Sequence, residues 1–149
     1  MVEIAQYLDP QLVSLLDVDQ RDDALAAMIE VADAAGKLRD RDAFHEAILE
    51  REKVVSTGIG MGVAIPHAKL AEYEDFFINI GILKHGIDWN AMDRKPVRMI
   101  FMIGGPDDKQ TEYLQILSKL TVAIKDEELR KKLLKLTSPE EIIGLFEAT

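Results

Sequence analysis

One histidine in this sequence stands where chemistry is possible. His67 follows the run Ser56-Thr57-Gly58-Ile59-Gly60-Met61-Gly62-Val63-Ala64-Ile65-Pro66 and precedes Ala68. Three glycines at alternate positions predict a loop whose backbone can approach a ligand closely. Pro66 fixes its own φ and biases Ile65 toward extended geometry, so the imidazole is expected to leave the end of a short strand in a defined direction. A ring held beside N–H groups that can aim at an anion suits a nucleophile that takes up a phosphoryl group. The N–H of Gly58 and its neighbours, the hydroxyls of Ser56 and Thr57, and the guanidinium of Arg51 are the groups that could hold the phosphoryl oxygens. Ser56 and Thr57 could instead bond the turn backbone, and Arg51 could instead pair with Glu50 or Asp42 on its own helix. Lys69 adds positive field, and Ile59 and Met61 are candidates for an apolar rim that excludes water.

Other chemistries fit less well. The glycine spacing is not G-x-G-x-x-G, the following Val-Ala-Ile-Pro reads as a strand, and no Lys-Ser/Thr closes a phosphate loop, so a nucleotide site is excluded. The histidines at 45, 67 and 85 lack the spacing of a zinc site and have no cysteine beside them, so no metal is expected. His45 reads as a solvated helical side chain. His85, before Gly86, reads as a turn residue that could still line the site.

A chain of 149 residues with 48% hydrophobic residues is expected to form one domain with a substantial core, spanning 1–149. A formal charge of −9 argues against nucleic acid as a partner, because phosphate contacts need a basic face. The absence of cysteine removes disulfides and thiolate metal sites and is compatible with a reducing cytoplasm. No apolar run reaches membrane-spanning length, and Met1-Val2-Glu3-Ile4 does not open a signal peptide.

The elements that must position His67 follow from periodicity. Gln11–Leu16 is short and apolar and predicts a first strand. Helical spacing of Ala24, Leu25, Met28, Ile29 and Ala32 predicts a helix over Asp19–Ala35, with Gly36 as its stop. A second helix is expected over Asp42–Glu52, with Phe44, Ala47 and Ile48 inward. A strand near Val63–Ile65 follows the glycine loop. Phe76–Leu83 alternates, with Ile78, Ile80 and Ile82 on one face. Pro96–Ile103 is apolar on both faces, as a central strand would be, and ends at Gly104-Gly105-Pro106. Thr111–Lys125 predicts a helix with Leu114, Leu117, Leu120 and Ile124 inward. Another begins near Asp126 with Leu129, Leu133 and Leu136, and a last one starts at Ser138, where Pro139 and Glu141 complete a capping box. Strands in the middle with helices around them predict a three-layer α/β/α sandwich with a mixed parallel and antiparallel sheet.

The stretch Arg51-Glu52, Ser56-Thr57-Gly58-Ile59-Gly60 and Val63-Ala64-Ile65-Pro66-His67-Ala68 resembles the phosphorylation site of enzyme IIA domains of the phosphoenolpyruvate-dependent sugar phosphotransferase system, of the fructose/mannitol class that includes nitrogen-regulatory paralogues. The likeness extends in length and element order over nearly the whole chain. It implies that His67 is phosphorylated by a small HPr-like phosphocarrier protein and passes the group onward, to an enzyme IIB domain or, in the regulatory branch, to no sugar at all. It implies a cytoplasmic protein that needs no metal or organic cofactor, with the Arg51-Glu52 pair favouring Arg51 as a phosphate clamp. An anion-binding interaction domain that has lost transfer is a further possibility, which the intact His67 argues against. Relatives usually carry a second histidine at the start of the first C-terminal helix. This chain offers Tyr113 there, a hydroxyl that can donate a hydrogen bond to orient His67 but cannot become a cation near neutral pH.

Overall fold

The structure, a computed structural model, describes residues 2–147; positions 1, 148 and 149 of the expected domain lie outside the described residues. After short 3-10 turns at Ile4–Tyr7 and Pro10–Leu12, the chain forms β1 (Val13–Leu16), α1 (Arg21–Ala34), α2 (Arg41–Val54), β2 (Gly58–Gly60), β3 (Val63–Ala64), β4 (His67–Lys69), β5 (Phe77–Ile87), β6 (Val97–Gly105), α3 (Gln110–Lys125), α4 (Glu127–Lys135) and α5 (Pro139–Glu147). The strands form one mixed sheet in the order β1-β5-β6-β3-β2, with β4 also pairing β6. β1 runs parallel to β5, β5 antiparallel to β6, and β3 and β4 both parallel to β6. Among the described residues no helix is long and apolar enough to cross a membrane.

Alternation along the two long strands builds two cores. Ile78, Ile80 and Ile82 of β5 face the same way as Phe101 and Ile103 of β6, and pack under α3, α4 and α5 against Ile116, Leu120, Leu133 and Phe146. Phe77 and Leu83 of β5, with Ile100 and Met102 of β6, face α1 and α2 and meet Leu25, Met28, Phe44 and Ile48. The expected α/β/α sandwich is therefore the observed fold, and β6 is its central strand, apolar on both faces because both are covered. The Asn79 amide donates to the Met28 carbonyl at 2.7 Å and ties α1 to β5 through the core.

Five local expectations need correction. Pro10–Leu12 is a 3-10 turn capped by Asp9, whose side chain accepts from the Gln11 N–H. Pro10 has no N–H to offer a ladder, so β1 starts only at Val13. The glycine run is not an open loop: β2 pairs antiparallel with β3. The hairpin turns at Met61 and Gly62, both in the left-handed region with φ of 62° and 76°. His67 does not end β3 but opens a separate strand, β4. Finally, the buried stripe of α3 is Tyr113, Ile116, Leu120, Ala123 and Ile124, whereas Leu114 is 52% exposed. The helix is turned so that the Tyr113 ring fills the space beside Phe76, with centroids 6.2 Å apart. The capping box of α5 is also incomplete, since the Ser138 hydroxyl accepts from the Glu141 N–H but donates to the Glu140 carboxylate.

The end of β6 is packed to the limit against Phe76. A Cβ at Gly105 would overlap Cδ1 of that ring, with Cε1 and Cγ at 2.7 Å. Phe76 is held in turn by Tyr113, so Gly105→Ala is expected to destabilise the fold by about 1–3 kcal/mol, the cost of overpacking a filled core. Denaturant unfolding measures it; an unchanged midpoint would mean that Phe76 yields freely.

Candidate functional site

β4 is three residues long and pairs only with β6, His67 opposite Ile103 and Lys69 opposite Gly105. Ala68 points into the α1/α2 core, so His67 and Lys69 project from the other face, toward the start of α3. The His67 and Tyr113 rings lie 5.7 Å apart between centroids, tilted by 45°. Lys69 Nζ sits 4.1 Å above the Tyr113 centroid and donates to Gln110 Oε1 at 2.8 Å. From α2, Arg51 carries its charge to the same place and donates from Nη1 to the Val55 carbonyl at 2.7 Å. Neither alternative pairing expected for Arg51 forms: Glu50 is taken by Lys53 and Asp42 by Arg41.

The imidazole has a fixed tautomer. His67 Nδ1 lies 3.1 Å from the carbonyl oxygen of Ile65. A carbonyl can only accept, so Nδ1 bears the hydrogen and Nε2 keeps an unshared pair. Burial pushes the His67 pKa below its ordinary value of 6.5; the Ile65 carbonyl opposes the shift, the Arg51 and Lys69 cations reinforce it, and Glu52 opposes it weakly. At neutral pH the ring is therefore uncharged, with two cations near it. Burial raises the Tyr113 phenol pKa, against the pull of Arg51, so it stays neutral.

The expected phosphate donors beside this ring are engaged elsewhere. The Glu52 carboxylate is buried and accepts from the Thr57 N–H at 2.9 Å and the Thr57 hydroxyl at 2.7 Å. The hydroxyl oxygen of Thr57 then accepts from Trp89 Nε1 at 3.1 Å. Ser56 donates its hydroxyl to the Trp89 carbonyl at 2.6 Å and accepts from the Gly58 N–H at 3.1 Å. With their hydrogens committed, Ser56, Thr57 and Gly58 do not offer donors to an anion; they brace the turn that leads into β2. Gly58 is small because a Cβ there would meet Ala91 Cβ at 2.8 Å, so its need for glycine is one of packing.

Tyr113 stands beside His67 as expected, but the contact is ring on ring, and no hydrogen bond from its hydroxyl orients the imidazole; the Ile65 carbonyl does that. His85 is exposed and faces Asp17 at 3.8 Å. It lies seven positions along β5 from Ile78, the residue level with Ile103 and His67, and so belongs to the other end of the sheet. Met61 is likewise remote, at the turn before Val63, where it meets Asp93 and Arg130. The exposed apolar groups nearest the site in the chain are Val54 (78% exposed) and Val55 (60%) beyond Arg51, and Leu114 beside Tyr113.

Sequence reasoning missed Glu52 as an anchor, Trp89 as its far end, and Gln110 and Phe76 as supports of Lys69 and Tyr113. Only Glu52 carried a usable signal: a carboxylate four residues after Ile48 and eight after Phe44 lies on the buried face of its helix.

Residues 6–149 match the family described as "Phosphoenolpyruvate-dependent sugar phosphotransferase system, EIIA 2". The chain belongs to this EIIA family. Among similar EIIA proteins, the "PTS system fructose-specific EIIABC component" of Bacillus subtilis is 38% identical over 146 residues, 97% of this chain but 23% of that protein's length. The "PTS system fructose-specific EIIA component" of Haloferax volcanii is 35% identical over 95% of this chain and 93% of its own length. A crystal structure of nitrogen regulatory protein IIA-Ntr from Neisseria meningitidis superposes with a TM-score of 0.89 at 26% identity, covering 96% of this chain and 98% of that one.

The depressed pKa of the EIIA histidine can be measured directly. An NMR titration of His67 is expected to give a midpoint below about 6.5, the unperturbed imidazole value. Because the folded value lies below the unfolded one, the stability linked to neutral His67 is full above pH 6.5 and is lost as pH falls through the folded pKa. A midpoint at or above the unperturbed value would show a solvated ring.

Proposed function

We propose that this chain is a single-domain cytoplasmic phosphocarrier that accepts a phosphoryl group on His67 Nε2 from an HPr-like phosphocarrier protein and passes it on in sugar uptake and phosphorylation. The observation that carries this reading is the imidazole itself: Nδ1–H held by a carbonyl, Nε2 unshared, the ring neutral, with Arg51 alongside. Nε2 attacks phosphorus in line on the donor phosphohistidine; a new P–N bond forms as the donor's breaks, and the bonding pair returns to the donor nitrogen. Arg51 releases the Val55 carbonyl and sets its planar fork on two phosphoryl oxygens. No metal or organic cofactor is needed, because imidazole is both nucleophile and leaving group. The name of the Bacillus relative joins A, B and C components, which supports an enzyme IIB domain as acceptor here.

A second reading draws on the likeness to the Neisseria nitrogen regulatory protein. On it, phosphorylation of His67 controls binding to regulatory target proteins, and no sugar is phosphorylated. Nucleic acid and membrane insertion form no part of either reading.

Incubated with phosphoenolpyruvate, enzyme I and an HPr-type carrier, the protein should gain one acid-labile, base-stable phosphoryl group, which His67→Ala removes without unfolding the chain. Normal labelling of that variant would refute the assignment. Transfer from the labelled protein to a fructose-type enzyme IIB supports the transport reading; retention of the label favours the regulatory one.

Arg51→Lys keeps the charge but loses the fork. It should raise the transfer barrier by about 1–3 kcal/mol, the worth of a charge-assisted hydrogen bond, and leave thermal stability near wild type. A wild-type rate with a lowered melting temperature would make Arg51 a helix cap and nothing more.

A further inference from the structure

The two cations beside His67 share an unusual property in a chain of net charge −9. Neither forms an ion pair with a carboxylate among the described residues; each rests on a neutral oxygen, Arg51 on the Val55 carbonyl and Lys69 on Gln110 Oε1. Their positive charge is therefore not quenched in the resting protein. Lys69 is also poised. It leaves β4 on the same face as His67, two residues away, and its Nζ hovers 4.1 Å over the Tyr113 ring, whose centroid is 5.7 Å from that of the imidazole. One flexible lysine stem spans that separation by rotation alone.

We propose that Lys69 is a second phosphoryl clamp: its ammonium waits on the Tyr113 ring, tethered by Gln110, and moves onto the oxygens of the phosphoryl group once His67 Nε2 carries it. The proposal rests on the phosphocarrier reading and adds to it a residue, a resting place and a movement. Tyr113 suits the resting role because its face attracts a cation without neutralising it, and its phenol stays protonated. Gln110 suits the tether because an amide oxygen accepts one hydrogen bond and gives it up at little cost when a dianion arrives. In the transfer step the Nε2 pair makes the P–N bond, the donor nitrogen recovers its own pair, and Nδ1 keeps its proton on Ile65. Lys69 loses no proton; it exchanges a neutral acceptor for an anionic one. Arg51 and Lys69 then hold the group from α2 and from β4.

The charged and titratable groups facing His67 are Arg51 and Glu52 from α2, Lys69 from its own strand and Tyr113 from α3. Removing the Lys69 charge takes away one of the two cations that depress the imidazole, so the His67 midpoint should rise toward its ordinary value. The decisive measurement uses the full chain with phosphoramidate as a small phosphoryl donor, so that partner docking does not intervene. By 31P NMR, Lys69→Gln should accept the group about tenfold more slowly or worse, as for the loss of one charge-assisted hydrogen bond, and should raise the second ionisation of the bound phosphoryl group. Lys69→Arg should restore most of the rate. Gln110→Ala, which removes the tether and keeps the charge, should slow transfer less than Lys69→Gln. Thermal melts of the three variants should match wild type, because Lys69 and Gln110 lie at the surface. If wild type is labelled on His67 while Lys69→Gln matches it in rate and in phosphoryl ionisation, the clamp is overturned and the phosphocarrier reading stands. If wild type takes no phosphoryl group from either phosphoramidate or an HPr-type carrier, both fall.

Discussion

The site depends on a break in hydrogen bonding between β3 and β4. The two short strands run one after the other along the same side of β6, Val63 and Ala64 opposite Met99 and Ile100, then His67 to Lys69 opposite Ile103 to Gly105. Between them stand Ile65 and Pro66. Proline has no N–H and cannot continue the ladder as donor, but its carbonyl still accepts from the Ile103 N–H at 2.9 Å and brings the chain back into register. The Ile65 carbonyl accepts from the imidazole two residues on. Pro66 thus serves as both interruption and bracket, and the interruption gives His67 its fixed tautomer.

Around that ring the electrostatics are arranged by exclusion. Burial keeps the imidazole neutral, and the carboxylate nearest in sequence to Arg51, that of Glu52, is turned inward to the Thr57 backbone and hydroxyl. Its charge is satisfied by hydrogen bonds from Thr57, so it leaves Arg51 unpaired. The same network, extended through Trp89 to Ser56 and Gly58, fixes the end of α2 against the sheet and so sets where Arg51 can reach. A buried carboxylate satisfied in this way is strongly held, since removing either partner strands a polar group away from water.

Much of this was legible from residue types and spacing. The alternation of Ile78, Ile80 and Ile82 and the doubly apolar run ending at Gly105 led to the right sheet and the right central strand, and the Ile-Pro-His sequence led to a ring that the structure sets beside Arg51, Lys69 and Tyr113. What escaped was decided by long-range competition. The hydroxyls of Ser56 and Thr57 could serve an anion or a turn equally well in sequence; the carbonyl of Trp89, more than thirty residues away, takes the first, and the buried Glu52, which the indole N–H of Trp89 backs through Thr57, takes the second. The phase of α3 is ambiguous in the sequence because Leu114 and Tyr113 are neighbours on the helix. Packing against Phe76 and His67 decides which of them is buried. The glycine run read as a cradle because glycine signals freedom, and the signal does not distinguish approach by a ligand from approach by Ala91.

The placement of His67 on a short outer strand has a physical logic of its own. A strand edge exposes unpaired backbone groups and invites unwanted pairing, a hazard that proteins limit by keeping such strands short and covering them. β4 has three residues, and the end of α2 packs along it. The same edge leaves the imidazole only partly buried. A carrier that takes a phosphoryl group from one protein and gives it to another needs its nucleophile at a surface that either partner can cover. It must also hold the group against water while neither does. A deep cleft would satisfy the second demand and defeat the first. On the proposed reading, an edge strand flanked by two cations on neutral tethers would meet both: partner access would come from the fold, and protection from Arg51 and Lys69 closing on the phosphoryl group.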